Sequence, residues 1–390
     1  MRLQAAFIHS HTFYYDKEGN AYSEGKLTYE TWQRYLGVFN NLVVVGRYKE
    51  SDDIFNFNIS SGANVVHVKM PNVSVSFNSL KKKNTRLSTL KSVIEKSDVV
   101  IARLPSQEGM LGIQIAKELN KPYVIELVGD VFSALWYHGS FLRKVYAPIA
   151  FLKEKKILKD APYVLYVTES YLQNRYPSKK IKVSASCSNV ELKDNLVVFE
   201  ESNKNIDTFK IGLIGSYSSK YKGIDNALSV VKKLVDNNIQ VELRILGTGN
   251  AKNIINLSKE LGIERNIKLD GSLPAGNEVF KWLNELDLYI QPSLTEGLPR
   301  ALIEAMYMKL PCVASDVGGI SELLENSVLH KPKDEQELYL KIFNFINDSE
   351  NRRIHGIQNG VKANEYLKSK LDEKRSKFWQ EVINDIRRNE

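Results

Sequence analysis

Two cysteines in 390 residues, Cys187 and Cys312, are too few for a disulfide framework and fit a reducing compartment. No apolar run reaches the roughly 18 residues that a membrane-spanning helix needs. The opening MRLQAAFIHSHTFYY has one Arg and a short apolar patch, then His and Tyr where a secretory signal would place small residues. A cytoplasmic protein is therefore expected. A dinucleotide fingerprint is missing too, since LGTGNAK (246–252) has Lys252 where the third glycine would fall. Internal repeats, low-complexity segments and nucleic-acid-binding module patterns are also absent, so nucleic acid is not an expected partner.

What is present reads as a folded protein, with 43% hydrophobic and 26% charged residues. Its length suggests two domains. The net charge of +8 is uneven: residues 1–190 carry +10, and 191–390 carry −2. A basic first half calls for phosphate groups, an acidic partner or an anionic membrane. FLRKVYAPIAFLKEKKILKD (141–160) interleaves apolar residues with Arg143, Lys144, Lys153, Lys155, Lys156 and Lys159, and KKKNTR lies at 81–86. Peripheral contact with anionic lipid, at the inner face of the plasma membrane, is expected of this half. Pro148 is expected to split the helix.

The runs AAFIH, LVVVG, NVVHV, DVVIARL, PYVIELV, YVLYVT and IKVSA alternate with helix-like stretches. That pattern predicts a parallel sheet covered on both faces. After a polar segment the alternation restarts with FKIGLIGSYSS, QVELRILGTGN, NIKLDGSL, DLYIQPS and PCVASDVGG, with helices predicted at 223–237, 251–261, 276–285, after Pro299, and at 320–325. The expected division is an N-terminal acceptor-binding domain (1–190), a linker (191–209), a second doubly wound domain (210–365) and a C-terminal helix (366–390) packing back on the first domain. Ligands of such sheets bind beyond the carboxyl ends of the strands, here in a cleft between two domains.

The second half concentrates groups suited to a nucleotide diphosphate sugar. Gly212 and Gly215 end a strand, Ser216 follows, and Lys222-Gly223 precedes a helix whose free N–H groups face anions. Glu296 and Glu304 stand eight positions apart around a helix start at Pro299. Carboxylates there complement the helix dipole, a purely structural role. They also suit sugar hydroxyls (Glu296) and the ribose (Glu304), because helical side chains lean toward the N-terminus. Gly297 permits close approach, Leu298 and Pro299 shape the turn, and Arg300 offers a second cation to the diphosphate.

EGLPRALIEAMYMKLPCVASDVGGISELLE (296–325) resembles the E-x7-E signature of retaining glycosyltransferase family 4, of the bacterial surface-polysaccharide type. The likeness extends through LGTGN, DGSLP, DLYIQPS and Lys222-Gly223, and more weakly through LNKPYVIELVGD, LYVTESYL and CSNV. It implies the GT-B fold: α/β, two Rossmann-like doubly wound domains facing a central cleft. It also implies metal-independent transfer of a hexose or related sugar, with no cofactor, from a nucleotide diphosphate donor to a glycan or lipid-linked acceptor. The chain has no D-x-D pair. Ser216 stands where members often have Arg, and Val128 where many have His. Catalytic roles are expected of Glu296, Lys222 and Asp130, and acceptor-side contacts of His9, His11 and Glu126. Two other readings fit parts of the sequence: a GT-B nucleotide-sugar epimerase shares the donor site, and a nucleic-acid-binding protein explains the charge but not the glutamates.

Overall fold

The computed structural model describes residues 3–25, 27–51, 57–71, 79–137, 141–190, 192–194 and 208–388. The first half runs β1 (Gln4–Tyr15), β2 (Ala21–Ser23), α1 (Tyr29–Leu36), β3 (Asn41–Glu50), β4 (Asn58–Ile59), β5 (Val65–Met70), α2 (Ser79–Glu95), β6 (Val99–Leu104), α3 (Gln107–Glu118), β7 (Tyr123–Leu127), α4 (Val131–Trp136), α5 (Phe141–Lys159), β8 (Tyr163–Tyr166), α6 (Tyr171–Arg175) and β9 (Val183–Ser186). Every residue of β6, β7 and β8 is buried, as strands covered on both faces must be.

The parallel strands lie in the order β5-β3-β1-β6-β7-β8-β9, with β2 antiparallel to the end of β1 and β4 antiparallel to β2. Strand order reverses between β1 and β6, which makes their carboxyl ends a ligand crevice. The register of β1 with β3 breaks between Ile8 and Thr12, so His9 and His11 fall in the irregular stretch. Such irregularities re-aim side chains. Pro148 does not split α5, which runs through it with the proline ring exposed.

The second half comprises β10 (Phe209–Ile214), α7 (Ile224–Asp236), β11 (Val241–Leu246), α8 (Lys252–Glu260), β12 (Ile267–Gly271), α9 (Asn277–Asn284), β13 (Leu288–Gln291), α10 (Arg300–Tyr307), β14 (Cys312–Ser315), β15 (Leu329–His330), α11 (Glu335–Asn347), α12 (Ser349–Ala363) and α13 (Lys368–Arg388). Its sheet is parallel throughout, ordered β12-β11-β10-β13-β14-β15, with the reversal between β10 and β13. The helix predicted at 320–325 is only a 3-10 turn, Ile320–Glu322. Most of the expected linker lies outside the described residues.

The last helix, α13, crosses to the first domain. Trp379 packs on Phe39 and Tyr35 at centroid separations of 5.3 and 6.2 Å. Tyr163 donates a hydrogen bond to Asp385 at 2.5 Å, and Lys182 pairs with the same carboxylate at 2.9 Å. One face of the first sheet is thus closed by α1 and α13 around Phe7, Trp32 and Trp379. The other is closed by α2, α3 and α5 through Leu90, Ile94, Ile113 and Ala150.

Candidate active site between the two domains

The switch point of the second sheet gathers the residues expected to hold a donor. Gly215 and Ser216 leave β10, and a β carbon on Gly215 would stand 2.8 Å from Lys222 Cγ, so glycine makes room for that side chain. Gly223 caps α7 with φ +68°, and a β carbon there would meet the Pro292 carbonyl oxygen at 1.9 Å. Only glycine brings the Lys222 turn so near the end of β13.

Lys222 Nζ donates to Glu296 Oε1 at 2.7 Å; the same oxygen accepts from Gln291 Nε2 at 2.8 Å and Ser293 Oγ at 2.7 Å. Burial disfavours the charge on Lys222, but Glu296 and then Tyr221 outweigh it, and its pKa is raised. The sequence assigns these two side chains to different parts of a ligand, yet here they hold each other. Two opposite charges so far removed from water are stable only when paired. The pair is anchored from below: Tyr289 OH donates to Gln291 Oε1 at 2.7 Å. Burial raises the Tyr289 pKa well above its ordinary value, and Glu296 and Glu304 are among the charges it feels.

Pro299 is the residue before α10 and Arg300 its first helical position, one place earlier than the sequence suggests. Glu304 lies one turn in, half-buried. Gly297 does allow a close approach, but of protein: a β carbon there would lie 2.7 Å from the Val128 carbonyl oxygen of the first domain.

Across the cleft, His9, His11 and Val128 face Leu298 and Arg300 around a cavity of about 330 Å³. Arg34 and Arg103 also line it. Burial, then the charge of Arg103, pushes His9 down to about 3 and His11 down to about 4, so both are neutral at pH 7. His9 Nδ1 lies 3.2 Å from the Arg103 carbonyl oxygen, and His11 Nε2 lies 2.8 Å from Ser23 Oγ.

Two expected residues have other tasks. Asp130 caps α4 through the N–H groups of Phe132 and Ser133 at 3.2 Å each, accepts from Tyr176 OH, and pairs with Arg175 at 3.0 Å. With its side chain 1% exposed and both oxygens engaged, it has no surface for a substrate. Glu126 does not line the cavity either. It accepts from Arg103 Nε at 3.0 Å and Tyr35 OH at 2.7 Å, and so sets the Arg103 guanidinium in place.

Sequence reasoning missed Arg34, Arg103 and Glu322. Arg103 had a signal, as the lone charge inside the apolar run VVIARL; Arg34 on α1 had none. The Glu322 carboxylate accepts from the backbone N–H groups of Glu169, Ser170 and Tyr171 at 2.6, 2.9 and 2.7 Å. A residue of one domain thereby caps α6 of the other.

Comparison with known proteins agrees with this geometry. Residues 194–361 match the family model for glycosyl transferases group 1. Protein CapJ of Staphylococcus aureus is 33% identical over 393 residues, covering 98% of this chain and 97% of that protein. The putative teichuronic acid biosynthesis glycosyltransferase TuaC of Bacillus subtilis is 25% identical, covering 65% of this chain and 62% of its own. Sucrose-phosphate synthase from Thermosynechococcus elongatus superimposes with a TM-score of 0.74 at 14% identity, over 98% of this chain and 100% of that one. Anabaena HepE in complex with UDP and glucose gives 0.68 at 15% identity, over 99% of both chains. Two parallel α/β domains with facing switch points, a whole-length relative and the matching family model lead to one conclusion: the chain belongs to the glycosyl transferases of group 1 and has the GT-B fold.

Proposed function

We propose that this glycosyltransferase is a retaining, metal-independent hexosyltransferase that moves a sugar from a nucleotide diphosphate donor to a glycan or lipid-linked acceptor in cell-surface polysaccharide assembly. The observation that carries the reading is the Lys222–Glu296 pair at the β10/β13 switch point, with Arg300 opening a helix beside it. In this reading Lys222 and Arg300 neutralise the diphosphate, Glu304 holds the ribose, and Glu296 orients Lys222 and the donor sugar. The acceptor hydroxyl attacks the anomeric carbon from the face the diphosphate leaves. As the bond from that carbon to the phosphate oxygen breaks, its electron pair goes to the diphosphate, and a phosphate oxygen takes the acceptor proton. The chain contributes charge stabilisation and alignment. The pathway rests on relatives such as TuaC, whose name places it in teichuronic acid biosynthesis.

The test is turnover of a nucleotide sugar with a glycan acceptor, with the anomeric configuration of the product read by NMR. Transfer with retention that survives EDTA is the expected result. Inversion, loss of activity on chelation, or conversion of the donor to an isomer without acceptor would overturn it.

We further propose that the enzyme works at the cytoplasmic face of an anionic membrane, docking through α5. No helix among the described residues is long and apolar enough to cross a membrane. α5, however, exposes Phe141, Leu142, Val145, Tyr146, Ile149 and Leu152 along its outer side, flanked by basic residues.

A further inference from the structure

His9 stands one residue past Ile8 and Ala102, the last pair that joins β1 to β6, and in the gap where β1 changes register against β3. It is therefore outside both ladders, with Nδ1 3.2 Å from the Arg103 carbonyl oxygen. A carbonyl oxygen has no proton to give, so Nδ1 carries the hydrogen of this bond. That leaves Nε2 with either a second proton or a bare lone pair. Burial, then the nearby Arg103 charge, disfavours the cation and holds the pKa down to about 3, so the lone pair is bare at neutral pH. Nε2 has no hydrogen-bond partner among the described residues. Unlike His67 Nδ1 and His330 Nε2, which are buried without partners, it is not sealed in protein, and the ring lines the interdomain cavity. His11, two residues on, differs in that its Nε2 is engaged by Ser23 Oγ at 2.8 Å.

A bare ring nitrogen is selective. It attracts the hydrogen of an O–H group and repels the lone pairs of a carboxylate or phosphate oxygen. The cavity takes its wall from both domains, and Leu27, Val128, Val167 and Leu298 make part of it apolar, which strengthens a hydrogen bond formed there. We infer that His9 is a substrate-binding residue whose Nε2 accepts a hydrogen bond from a sugar hydroxyl brought into the cleft. A hydroxyl held in this way has its proton direction fixed, and the sugar that carries it is aligned for transfer. The donor sugar and the acceptor both supply this chemistry. The inference rests on the glycosyl-transfer reading above and names one contact of that site.

The experiment compares full-length wild type, His9→Asn and His9→Gln, each verified as folded by thermal unfolding. Asn keeps an N–H near the place of Nδ1 and with it the bond to the Arg103 carbonyl, but has no atom where Nε2 stands. Gln reaches that place with an amide oxygen, which is again an acceptor. The probes are UDP-glucose, UDP-N-acetylglucosamine and GDP-mannose, each given water alone, for hydrolysis, and then octyl β-glucoside or octyl β-galactoside, for transfer. His9→Asn is expected to lose about tenfold in kcat/KM, the scale of one hydrogen bond, and His9→Gln to recover most of it. A loss that includes hydrolysis assigns the hydroxyl to the donor sugar, and a loss confined to transfer assigns it to the acceptor. A purely structural role for the Nδ1 bond gives the opposite order, because Asn keeps that bond. His9→Asn as active as wild type, or at least as active as His9→Gln, in every reaction the wild type runs would overturn the inference and leave the glycosyl-transfer reading standing. A wild type that turns over none of the probes would take that reading down together with the inference.

Discussion

At the scale of single residues, Glu154 shows how far this fold departs from a simple oil-drop core. It is fully buried on α5, and neither carboxylate oxygen has a partner among the described residues. Burial, then the charge of Asp130, pushes its pKa up to about 8; Tyr176 and Arg175 stand in the same cluster. An acid whose folded pKa lies above its unfolded value near 4.5 is held protonated by folding. Its contribution to stability is full below the unfolded value and is lost as pH rises through about 8. Glu154→Gln, neutral at every pH, should flatten the thermal stability profile between pH 5 and 9, with the largest gain over wild type at the alkaline end. Parallel profiles would contradict the assignment. The candidate site was partly legible in the same physical terms. The glycines, Lys222 and Glu296 announce themselves because a switch-point loop restricts which residues fit. Asp130 and Glu126 misled because a carboxylate near a strand end reads alike whether it caps a helix, supports an arginine or meets a sugar.

At the scale of elements, α5 carries the clearest unspent surface. Phe141 and Leu142 are each 78% exposed and Leu152 64%, on a helix whose buried side is Ala147, Ala150, Glu154 and Leu158. Each basic residue close to an anionic bilayer adds about 1 kcal/mol, and the apolar side chains add burial in the headgroup region. Cosedimentation with anionic vesicles should be salt-reversible, absent with neutral vesicles, and lowered severalfold by Phe141→Ser with Leu142→Ser. Unchanged binding in that variant would remove α5 as the docking element. The main strands were readable because a parallel strand buried on both faces needs an unbroken apolar run, as in VVIARL and YVIEL. β2 and β4 are too short to leave such a run; β2 depends on pairing with β1, and β4 on pairing with β2. The sequence around Ile320 carries helical residues, but the chain there follows Gly318, at φ +61°, and makes a single 3-10 turn so that Glu322 reaches the other domain.

At the scale of the whole molecule, the site exists only while the two sheets face each other. Gly297 against Val128, Leu298 in the cavity wall and Glu322 on the α6 backbone hold that arrangement. Hydrogen bonds to a carboxylate are about twice as strong as neutral ones, so Glu322→Gln should loosen closure. Turnover is expected to fall by about tenfold while affinity for the nucleoside diphosphate, whose proposed contacts are residues of the second domain, stays the same. A parallel loss of affinity would place Glu322 in the donor site instead. The +10 charge of residues 1–190 raised the expectation of an anionic partner for the first domain, but only the fold brings Arg34, Arg103 and Arg300 together from α1, β6 and α10.

The central claim is that the Lys222–Glu296 pair is the diphosphate end of a nucleotide-sugar site. Its most direct measurement is a calorimetric comparison of wild type, Lys222→Ala and Glu304→Gln titrated with nucleoside mono- and diphosphates. The account predicts that wild type binds one nucleoside diphosphate more tightly than its monophosphate. Lys222→Ala should erase that difference, and Glu304→Gln should weaken both nucleotides alike through the ribose. Retention of the full diphosphate preference by Lys222→Ala would contradict it.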